Sequence, residues 1–297
     1  DPAQIPRFNP VYPKTPPRAE VVMPDHIWSN PTPRAALGEA VSALARVNGA
    51  AVMDCDLFPS LSLDPAISGF VSCGVAEANM ASVAGGLARA GVLTFACGYA
   101  SFLLGEAVSQ HRMNALNVAP VKLMATHIGL DVGEDGKTHQ CVDYLSLLSG
   151  LWGIKAAIPI DARQAHKAAL WAAQEEGMAC VLVGRSPQPI YPQSEAPFEY
   201  GCAIPMREGS RVTIVTMGTL ISRCMEAAEA LNAQVIAVTS PFALDDALLK
   251  THEFVAVAED HMPQGGLAQR LALYFLERGA QKKILSLAVD APGPSAP

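Results

Sequence analysis

Charged and aromatic residues are scarce in this sequence. Lys, Arg, Asp and Glu make up 16% of the 297 residues, and Phe, Trp and Tyr make up 6%, whereas 50% are hydrophobic. No basic run is present and the formal net charge is −7, which argues against a nucleic-acid or anionic membrane surface. A small anionic substrate is compatible with this balance, because a local pocket does not follow the net charge.

Paired cysteines and long apolar stretches are also missing. The seven cysteines are spread singly without a C-x-x-C pair, which indicates a reducing, cytoplasmic environment and neither disulfides nor structural zinc. The longest uncharged stretch, 90–105, is too short for a transmembrane helix, which needs about 20 residues. Residues 1–33 contain nine prolines and no apolar core, so they predict an extended arm and no signal peptide.

Short apolar strands alternate with helical patterns along the rest of the chain. The first series runs from "AAVMDCDL" at 50–57 to "ACVLVGR" at 179–185, and a second begins with "RVTIVTMG" at 211–218. Near-continuous apolar strands between amphipathic helices predict parallel sheets covered on both faces. We therefore expect an α/β protein with two doubly wound domains.

The domain boundaries follow from composition. "SPQPIYPQSEAP", at 186–197, carries four prolines and indicates a connecting segment. We expect a proline-rich arm at 1–33, an α/β domain at 34–185, a linker at 186–199 and a smaller α/β domain at 200–297.

Polar or aromatic side chains follow the strands of the first domain. In chain order they are Asp54, Asp56, Glu77, Tyr99, Phe102 and His127. Because ligands bind at the carboxyl ends of parallel strands, we expect a site at that edge. His127 also introduces the polar loop "GLDVGEDGKTHQ" at 129–140, which concentrates glycines, carboxylates and a histidine.

Four motifs, in order, resemble the pyrimidine-binding domain of transketolases: "GVAEANMASVAGGLARAG", "YASFLL", "THIGLDVGEDGKTHQ" and "IPIDARQA". "RVTIVTMGT", "AEDH" and "GGLA" resemble the C-terminal domain of the same family. The resemblance covers roughly residues 34–290, and the order and spacing of the motifs make it specific. It implies an enzyme that uses thiamine diphosphate to transfer a two-carbon ketol unit from a ketose phosphate to an acceptor.

One part of the family pattern is missing. Complete transketolases bind the diphosphate through a divalent metal, with a GDG motif in an N-terminal domain, and this sequence contains no GDG. The resemblance therefore implies the C-terminal half of a split enzyme, inactive alone. An N-terminal partner subunit would share thiamine diphosphate with this chain and hold Mg²⁺ or Ca²⁺ in an α2β2 heterotetramer. No metal ligand is expected in this chain.

The resemblance assigns three residues to the cofactor. Glu77 is expected against N1′ of the aminopyrimidine, where a buried acid with a raised pKa shares a proton with the ring. The alternative without a catalytic role is an ordinary glutamate in the first turn of a helix, favoured by the helix dipole. Phe102 is expected to stack on the pyrimidine, with Tyr99 nearby, and Leu103 is the alternative for the stacking role.

Six residues are assigned to the substrate. His139 and Asp135 are expected to contact the hydroxyls of the donor sugar, and His139 can also move protons near neutral pH. Arginine and protonated histidine suit a sugar-phosphate clamp, because they supply charge-assisted donors. The clamp residues are Arg34, Ser60, His127 and Arg185. Lys137 stands where the family more often has Pro or Gly, which leaves the acceptor open.

Two other functions remain compatible with the sequence. Split subunits also occur in the E1 components of 2-oxo-acid dehydrogenases, so the chain could pass a glycolyl unit to a lipoyl or acyl-carrier-protein thiol. A glycolyl thioester product would identify that reaction. The third function is a non-catalytic scaffold, against which the joint presence of Glu77, Asp135 and His139 argues.

Overall fold

The computed structural model describes residues 20–24 and 31–294. Most of the expected arm at 1–33 therefore lies outside the described residues. Within them, no helix combines the length and the apolar character that crossing a membrane requires. All seven cysteines are described and none is in a disulfide.

The first sheet has six parallel strands in the order β2-β1-β3-β4-β6-β5. They are β1 Ala51–Asp54, β2 Phe70–Ser72, β3 Thr94–Tyr99, β4 Lys122–Thr126, β5 Lys155–Ala157 and β6 Ala179–Leu182. The central strands β1, β3, β4 and β6 are buried along their whole length, as near-continuous apolar runs predict for a parallel sheet covered on both faces. The expected α/β class is confirmed.

Helices cover both faces of this sheet. They are α1 Pro33–Asn48, α2 Glu77–Arg89, α3 Val108–Leu116, α4 Tyr144–Ser149 and α5 Ala162–Gln174. On one face α1 and α5 pack together through alanines such as Ala40 and Ala169, whose small side chains permit close approach. On the other face α2 and α3 cover the sheet, and Met80 of α2 lies in the same apolar cluster as Met53 of β1.

The sequence "FLLGEAVSQHRMNAL" at 102–116 has the pattern of one helix, but that helix is interrupted. The structure has a π-helix at Ser101–Glu106, followed by the α-helix α3. The buried His111 side chain, on α3, donates through Nε2 to the Leu103 carbonyl at 3.0 Å. Burial lowers the pKa of His111 to about 4, so the imidazole is neutral at pH 7. Wider turns of this kind are frequent at functional sites.

The second sheet has five strands in the order β11-β10-β8-β9-β7. They are β7 Ala203–Arg207, β8 Thr213–Thr216, β9 Gln234–Val238, β10 Phe254–Ala258 and β11 Lys283–Leu287, with helices α6 Ile221–Leu231 and α7 Leu267–Glu277. The sequence interpretation missed β7, which pairs antiparallel with β9 at the sheet edge. Pro205 obscures this strand, because proline within a strand is tolerated mainly at edges and bulges, and the register shifts beside it.

Polar contacts join the two sheets. Asp260, after β10, accepts hydrogen bonds from the Tyr144 hydroxyl at 2.8 Å and the Thr219 hydroxyl at 2.7 Å. The neighbouring His261 accepts from the Leu145 backbone N–H at 3.1 Å. These contacts place the carboxyl ends of the two sheets next to each other.

The expected linker lies against α5. Lys167 donates to the carbonyls of Ser194, Glu195 and Ala196 at 2.5–2.8 Å, and a 3-10 turn covers Pro192–Glu195. The division of the chain at 34–185, 186–199 and 200–297 stays a prediction.

Candidate active site

The carboxyl ends of the first-sheet strands form one edge, because all six strands run parallel. Tyr99 ends β3, His127 follows β4 directly, and Arg185 lies three residues beyond β6. Glu77 begins α2, the helix that follows β2, and Arg34 lies in the first turn of α1. Residues expected at the site thus come to this edge from five elements.

Four rings from three segments meet there, and we call them the ring cluster: Tyr99, Phe102, His127 and His139. The centroids of Tyr99 and His127 are 3.7 Å apart, and Tyr99 lies 6.2 Å from Phe102 in a stacked arrangement. His139 meets the Phe102 ring edge-to-face at 5.0 Å. The polar loop therefore folds back onto the aromatic residues that follow β3.

Arg34 and Ser60 extend this cluster with polar groups. Arg34 Nη1 donates to Ser60 Oγ at 2.8 Å and to the Ser60 carbonyl at 3.1 Å. The Tyr99 hydroxyl donates to the same Oγ at 2.8 Å. Because Ser60 Oγ accepts two hydrogen bonds, its own hydrogen remains available to donate. Three of the four expected clamp residues, Arg34, Ser60 and His127, are thus gathered around Tyr99.

His127 is fully buried in a left-handed backbone conformation, with φ at 58°. Burial, reinforced by the nearby Arg34 and Arg185 cations, lowers its pKa to about 3. The ring is therefore neutral at pH 7, whereas the sequence argument treated it as cationic. Nδ1 lies 2.8 Å from the Thr126 hydroxyl, and Nε2 has no hydrogen-bond partner among the described residues. If Thr126 donates to Nδ1, Nε2 carries the proton and is an unused buried donor.

Asp54 organises the loop that presents Ser60. Its buried carboxylate accepts from the backbone N–H groups of Leu57 at 2.8 Å and Phe58 at 3.0 Å. Burial raises the pKa of Asp54, while these backbone hydrogen bonds oppose the rise. The polar residue at the end of β1 thus shapes a turn, and Asp56 beside it is exposed.

Glu77 borders a pocket of about 660 Å³, which we call the Glu77 pocket. Its lining residues are Cys55, Leu57, Val75, Ala76, Glu77, Ala78, Asn79, Phe102 and Glu106. The walls are mostly apolar, with two carboxylates among them. Phe102 belongs to both the pocket and the ring cluster, so the two features adjoin.

The structure favours Phe102 over Leu103 at this pocket. Leu103 is fully buried in the core, whereas Phe102 is half-buried and lines the pocket. The π-helix brings Glu106 to the same pocket, and sequence reasoning missed it. A regular-helix pattern over 102–116 carries no sign of a wider turn, so no sequence signal identified Glu106.

The polar loop places its two expected residues differently. His139 joins the ring cluster, with Nδ1 3.0 Å from the Thr138 hydroxyl. Asp135 ends the 3-10 turn Gly133–Asp135 and is exposed, as is Lys137. His139 thus contacts Tyr99 and Phe102, and the Asp135 carboxylate acts electrostatically on Arg185.

Arg185 lies on the far side of the loop, paired with Glu134. Nη1 and Nη2 each donate to a different oxygen of Glu134 at 2.9 Å, and Nη1 also donates to the Val132 carbonyl at 3.2 Å. The Arg185 hydrogen bonds lower the pKa of Glu134 to about 2. Gly133 has φ at 60°, and a Cβ there would lie 1.7 Å from Arg185 Nη1, so glycine makes room for the guanidinium.

Sequence reasoning also missed Glu134, although it stands beside Asp135 in the polar loop. Its partner is 51 residues away, and no local pattern pairs residues at that distance. No group of three His, Cys, Asp or Glu side chains in the described ranges could hold a metal ion.

Two family profiles match the chain. "Transketolase, pyrimidine binding domain" matches residues 31–189, and "Transketolase, C-terminal domain" matches residues 201–297. A protein named as a transketolase C-terminal section, from Methanocaldococcus jannaschii, is 30% identical over 230 residues, which cover 74% of this chain and 73% of that protein. One of the subunits of the apulose-4-phosphate transketolase of Phocaeicola vulgatus is 28% identical over 229 residues, or 73% of each protein.

A solved structure is similar over most of the chain. The split gene transketolase described as an inactive beta4 tetramer superposes with a TM-score of 0.78 at 30% identity, covering 88% of this chain and 89% of that one. The chain spans about a third of the length of the Bos taurus transketolase-like proteins that it also matches.

Proposed function

The chain belongs to the transketolase family, and from this we propose that it is the pyrimidine-binding subunit of a two-subunit ketol transferase. It corresponds to the C-terminal part of transketolases, and membership implies dependence on thiamine diphosphate. The proposed reaction transfers a two-carbon ketol unit from a ketose phosphate to an acceptor. The observation that carries the proposal is the Glu77 pocket, which adjoins the ring cluster through Phe102.

The residues of the Glu77 pocket fit an aminopyrimidine. Such a ring needs an aromatic or apolar surface for its faces and a hydrogen-bonding group at its edge. Phe102 offers the aromatic surface, Cys55 and Val75 the apolar walls, and Glu77 the carboxyl group. Glu77 would hold a proton at the ring nitrogen, and Phe102 would stack for about 0.5–1.5 kcal/mol beyond burial. When bound, the cofactor supplies the carbon nucleophile that adds to the donor ketone.

The donor phosphate would bind beside Tyr99. Arg34 supplies a permanent positive charge, Ser60 an unused hydroxyl hydrogen, and His127 the buried Nε2 that lacks a partner in the described chain. These are donors, as an oxyanion requires. Arg185 would complete the clamp from the other side of the polar loop.

The donor hydroxyls would meet the polar loop. His139 is held by contacts with Phe102 and Tyr99, so its ring is positioned before substrate arrives. It would accept or donate a proton at a hydroxyl near the bond that breaks. Asp135, exposed on the same loop, would accept a hydrogen bond from a second hydroxyl.

A partner subunit is part of the proposal. It would bind the diphosphate with Mg²⁺ or Ca²⁺ and form an α2β2 heterotetramer with this chain. Apolar surface is exposed by Val71 on β2, by Val83 on α2, and by Val75, which lies between these elements and lines the Glu77 pocket. A partner there would bury this surface together with Glu77. The name of the archaeal relative and the inactive beta-chain tetramer of the solved relative support this division.

The test compares Glu77→Gln with Glu176→Gln in the complex. Glu176 is an exposed glutamate after α5 and serves as the matched control. The partner is obtained by co-purification with the native chain, and D-xylulose 5-phosphate is the donor. We expect Glu77→Gln to slow both donor cleavage and exchange of the cofactor C2 proton, followed by NMR, at least a hundredfold. Wild-type exchange in Glu77→Gln contradicts the assignment of Glu77.

The same assay separates the acceptors. An aldose phosphate acceptor gives a longer ketose phosphate, whereas a carrier thiol gives a glycolyl thioester that mass spectrometry detects. A complex that binds cofactor but cleaves no ketose donor would overturn the proposed reaction.

A further inference from the structure

A cavity of about 580 Å³ lies between the two sheets, and we call it the interdomain cavity. It is bordered by Thr219 and Arg223 after β8, Asp260 after β10, and Arg185 after β6. The volume is in the range of small-molecule sites, which is about 300–1,000 Å³. Among the described residues that border it, Arg185 alone is also one of the expected donor-site residues.

The cavity sits where the strand order of the second sheet reverses. From β8 the chain passes to β9 on one side, and β10 then pairs with β8 on the other side. In open α/β sheets, ligands bind in the crevice outside the carboxyl ends of the strands at such a reversal. The position of the cavity is therefore one at which this architecture places ligands.

The carboxylates of the cavity already accept hydrogen bonds. Asp131 accepts from the backbone N–H of Ser186 at 2.8 Å and from the Ser186 hydroxyl. Asp260 accepts from the Tyr144 and Thr219 hydroxyls. Each oxygen of Glu259 accepts from a backbone N–H at the start of α7, at 2.5 and 3.0 Å. These hydrogen bonds tie the acidic groups to the fold, and burial raises the pKa of Glu259 and of Asp260.

Several donors of the cavity, by contrast, have no partner in the described chain. Arg223 is exposed and makes no hydrogen bond or ion pair there, and the adjacent Ser222 hydroxyl makes none either. Arg185 donates one hydrogen bond from Nη1 and one from Nη2 to Glu134. The edge of the guanidinium formed by Nε and the other hydrogen of Nη2 makes no hydrogen bond within the described chain. That edge can hold a second oxyanion by two parallel hydrogen bonds. One acceptor is also unused: Gln188 Oε1 is buried without a partner in the described chain.

From these unpartnered donors and the unpartnered Gln188 oxygen we propose that the interdomain cavity binds a phosphorylated polyol of sugar-phosphate size. Arg223, Ser222 and the free edge of Arg185 hold the phosphate, and Gln188 accepts from a hydroxyl. Its occupant is either a regulatory sugar phosphate or the far end of a long substrate. The chemistry of recognition is the same for both.

The test measures binding of D-ribose 5-phosphate to the isolated full chain by calorimetry, with D-ribose and inorganic phosphate for comparison. Arg223→Ala should weaken binding at least about tenfold, because it removes a charge-assisted hydrogen bond to the phosphate. Gln188→Leu should weaken the binding of D-ribose 5-phosphate but leave the binding of inorganic phosphate unchanged. Arg211→Ala, an exposed arginine just before β8, is the matched control and should match the wild type.

Arg34→Ala separates this cavity from the donor clamp. The proposal expects binding at the cavity to persist in Arg34→Ala and to weaken in Arg223→Ala. It is overturned if Arg34→Ala abolishes all binding, if Arg223→Ala behaves like Arg211→Ala, or if D-ribose 5-phosphate shows no binding tighter than about 10 mM. The complex distinguishes the two occupants. If D-ribose 5-phosphate changes the rate of donor cleavage only when Arg223 is intact, the occupant is a regulator. If it changes only the rate of acceptor transfer, the occupant is the far end of a substrate.

Discussion

At the scale of single residues, Arg34 and Ser60 form the best-defined part of the proposed donor clamp. Two donors, Arg34 Nη1 and the Tyr99 hydroxyl, converge on Ser60 Oγ at 2.8 Å. These two hydrogen bonds hold the Ser60 oxygen in place, and the hydrogen of the Ser60 hydroxyl remains available to donate to a ligand. Neutral His127 beside them adds a donor without adding charge, so Arg34 is the nearest permanent cation of the clamp.

We predict that Arg34→Ala lowers kcat/KM for D-xylulose 5-phosphate about ten- to a hundredfold, because each charge-assisted hydrogen bond to the phosphate contributes about 1.5–3 kcal/mol. The same variant should act nearly as wild type on hydroxypyruvate, a donor without phosphate. Steady-state kinetics on both donors check this, with Arg211→Ala as control. An equal loss of kcat/KM on the two donors would show that Arg34 supports the fold and does not bind the phosphate.

At the scale of elements, the π-helix Ser101–Glu106 decides what the Glu77 pocket contains. It presents Phe102 and Glu106 to the pocket and sends Leu103 into the core. The His111 hydrogen bond to the Leu103 carbonyl satisfies a backbone acceptor within this irregular segment. His111 is thus a positioning residue for the aromatic side of the proposed cofactor site.

This buried imidazole makes stability depend on pH. Folded His111 binds its proton only below about pH 4, whereas the unfolded value is 6.5. Between these values the unfolded chain holds more protons, so stability falls as pH falls from 6.5 to 4. We predict that His111→Gln, which keeps an N–H donor but does not titrate, flattens this fall. Thermal unfolding at several pH values measures it, with His252→Gln as control, and an unchanged slope would contradict the role of His111.

In the proposed mechanism, two parts of the polar loop 129–140 have different tasks. His139 packs against the ring cluster, whereas Lys137 is exposed two residues earlier. We predict that His139→Ala slows the donor half-reaction at least tenfold, because it removes hydrogen bonds beside the bond that breaks. Lys137→Pro should leave donor cleavage near wild type and change only acceptor transfer. Single-turnover assays of each half-reaction decide, and the reverse pattern would show that the two roles were exchanged.

At the scale of the whole molecule, the parallel first sheet was predictable and several contacts between distant segments were not. Runs such as "VKLMATH" predict buried strands, and their polar ends predict the edge of the sheet that carries the candidate site. Pro205 makes the sequence of antiparallel β7 look unlike a strand. The strand pairs with β9, whose position in the sheet the local sequence of β7 does not predict. The Arg185–Glu134 pair and the interdomain cavity arise only when loops from both sheets meet. Local sequence patterns predict helices and strands, whereas tertiary packing determines which charged side chains form ion pairs.

The isolated chain and the complex are expected to differ in how they bind the cofactor. In the proposed enzyme the Glu77 pocket takes the pyrimidine end, whereas this sequence lacks the GDG motif with which complete transketolases hold the diphosphate. We therefore expect the isolated chain to bind thiamine and thiamine diphosphate equally and weakly, with Kd above about 100 μM. The complex with its partner should bind thiamine diphosphate at about 1 μM or tighter and discriminate strongly against thiamine, since only there is the diphosphate held. Calorimetry with both ligands, on the chain and on the complex, makes the comparison. Micromolar affinity of the isolated chain for thiamine diphosphate, with weak binding of thiamine, would place the diphosphate site within this chain and contradict the two-subunit proposal.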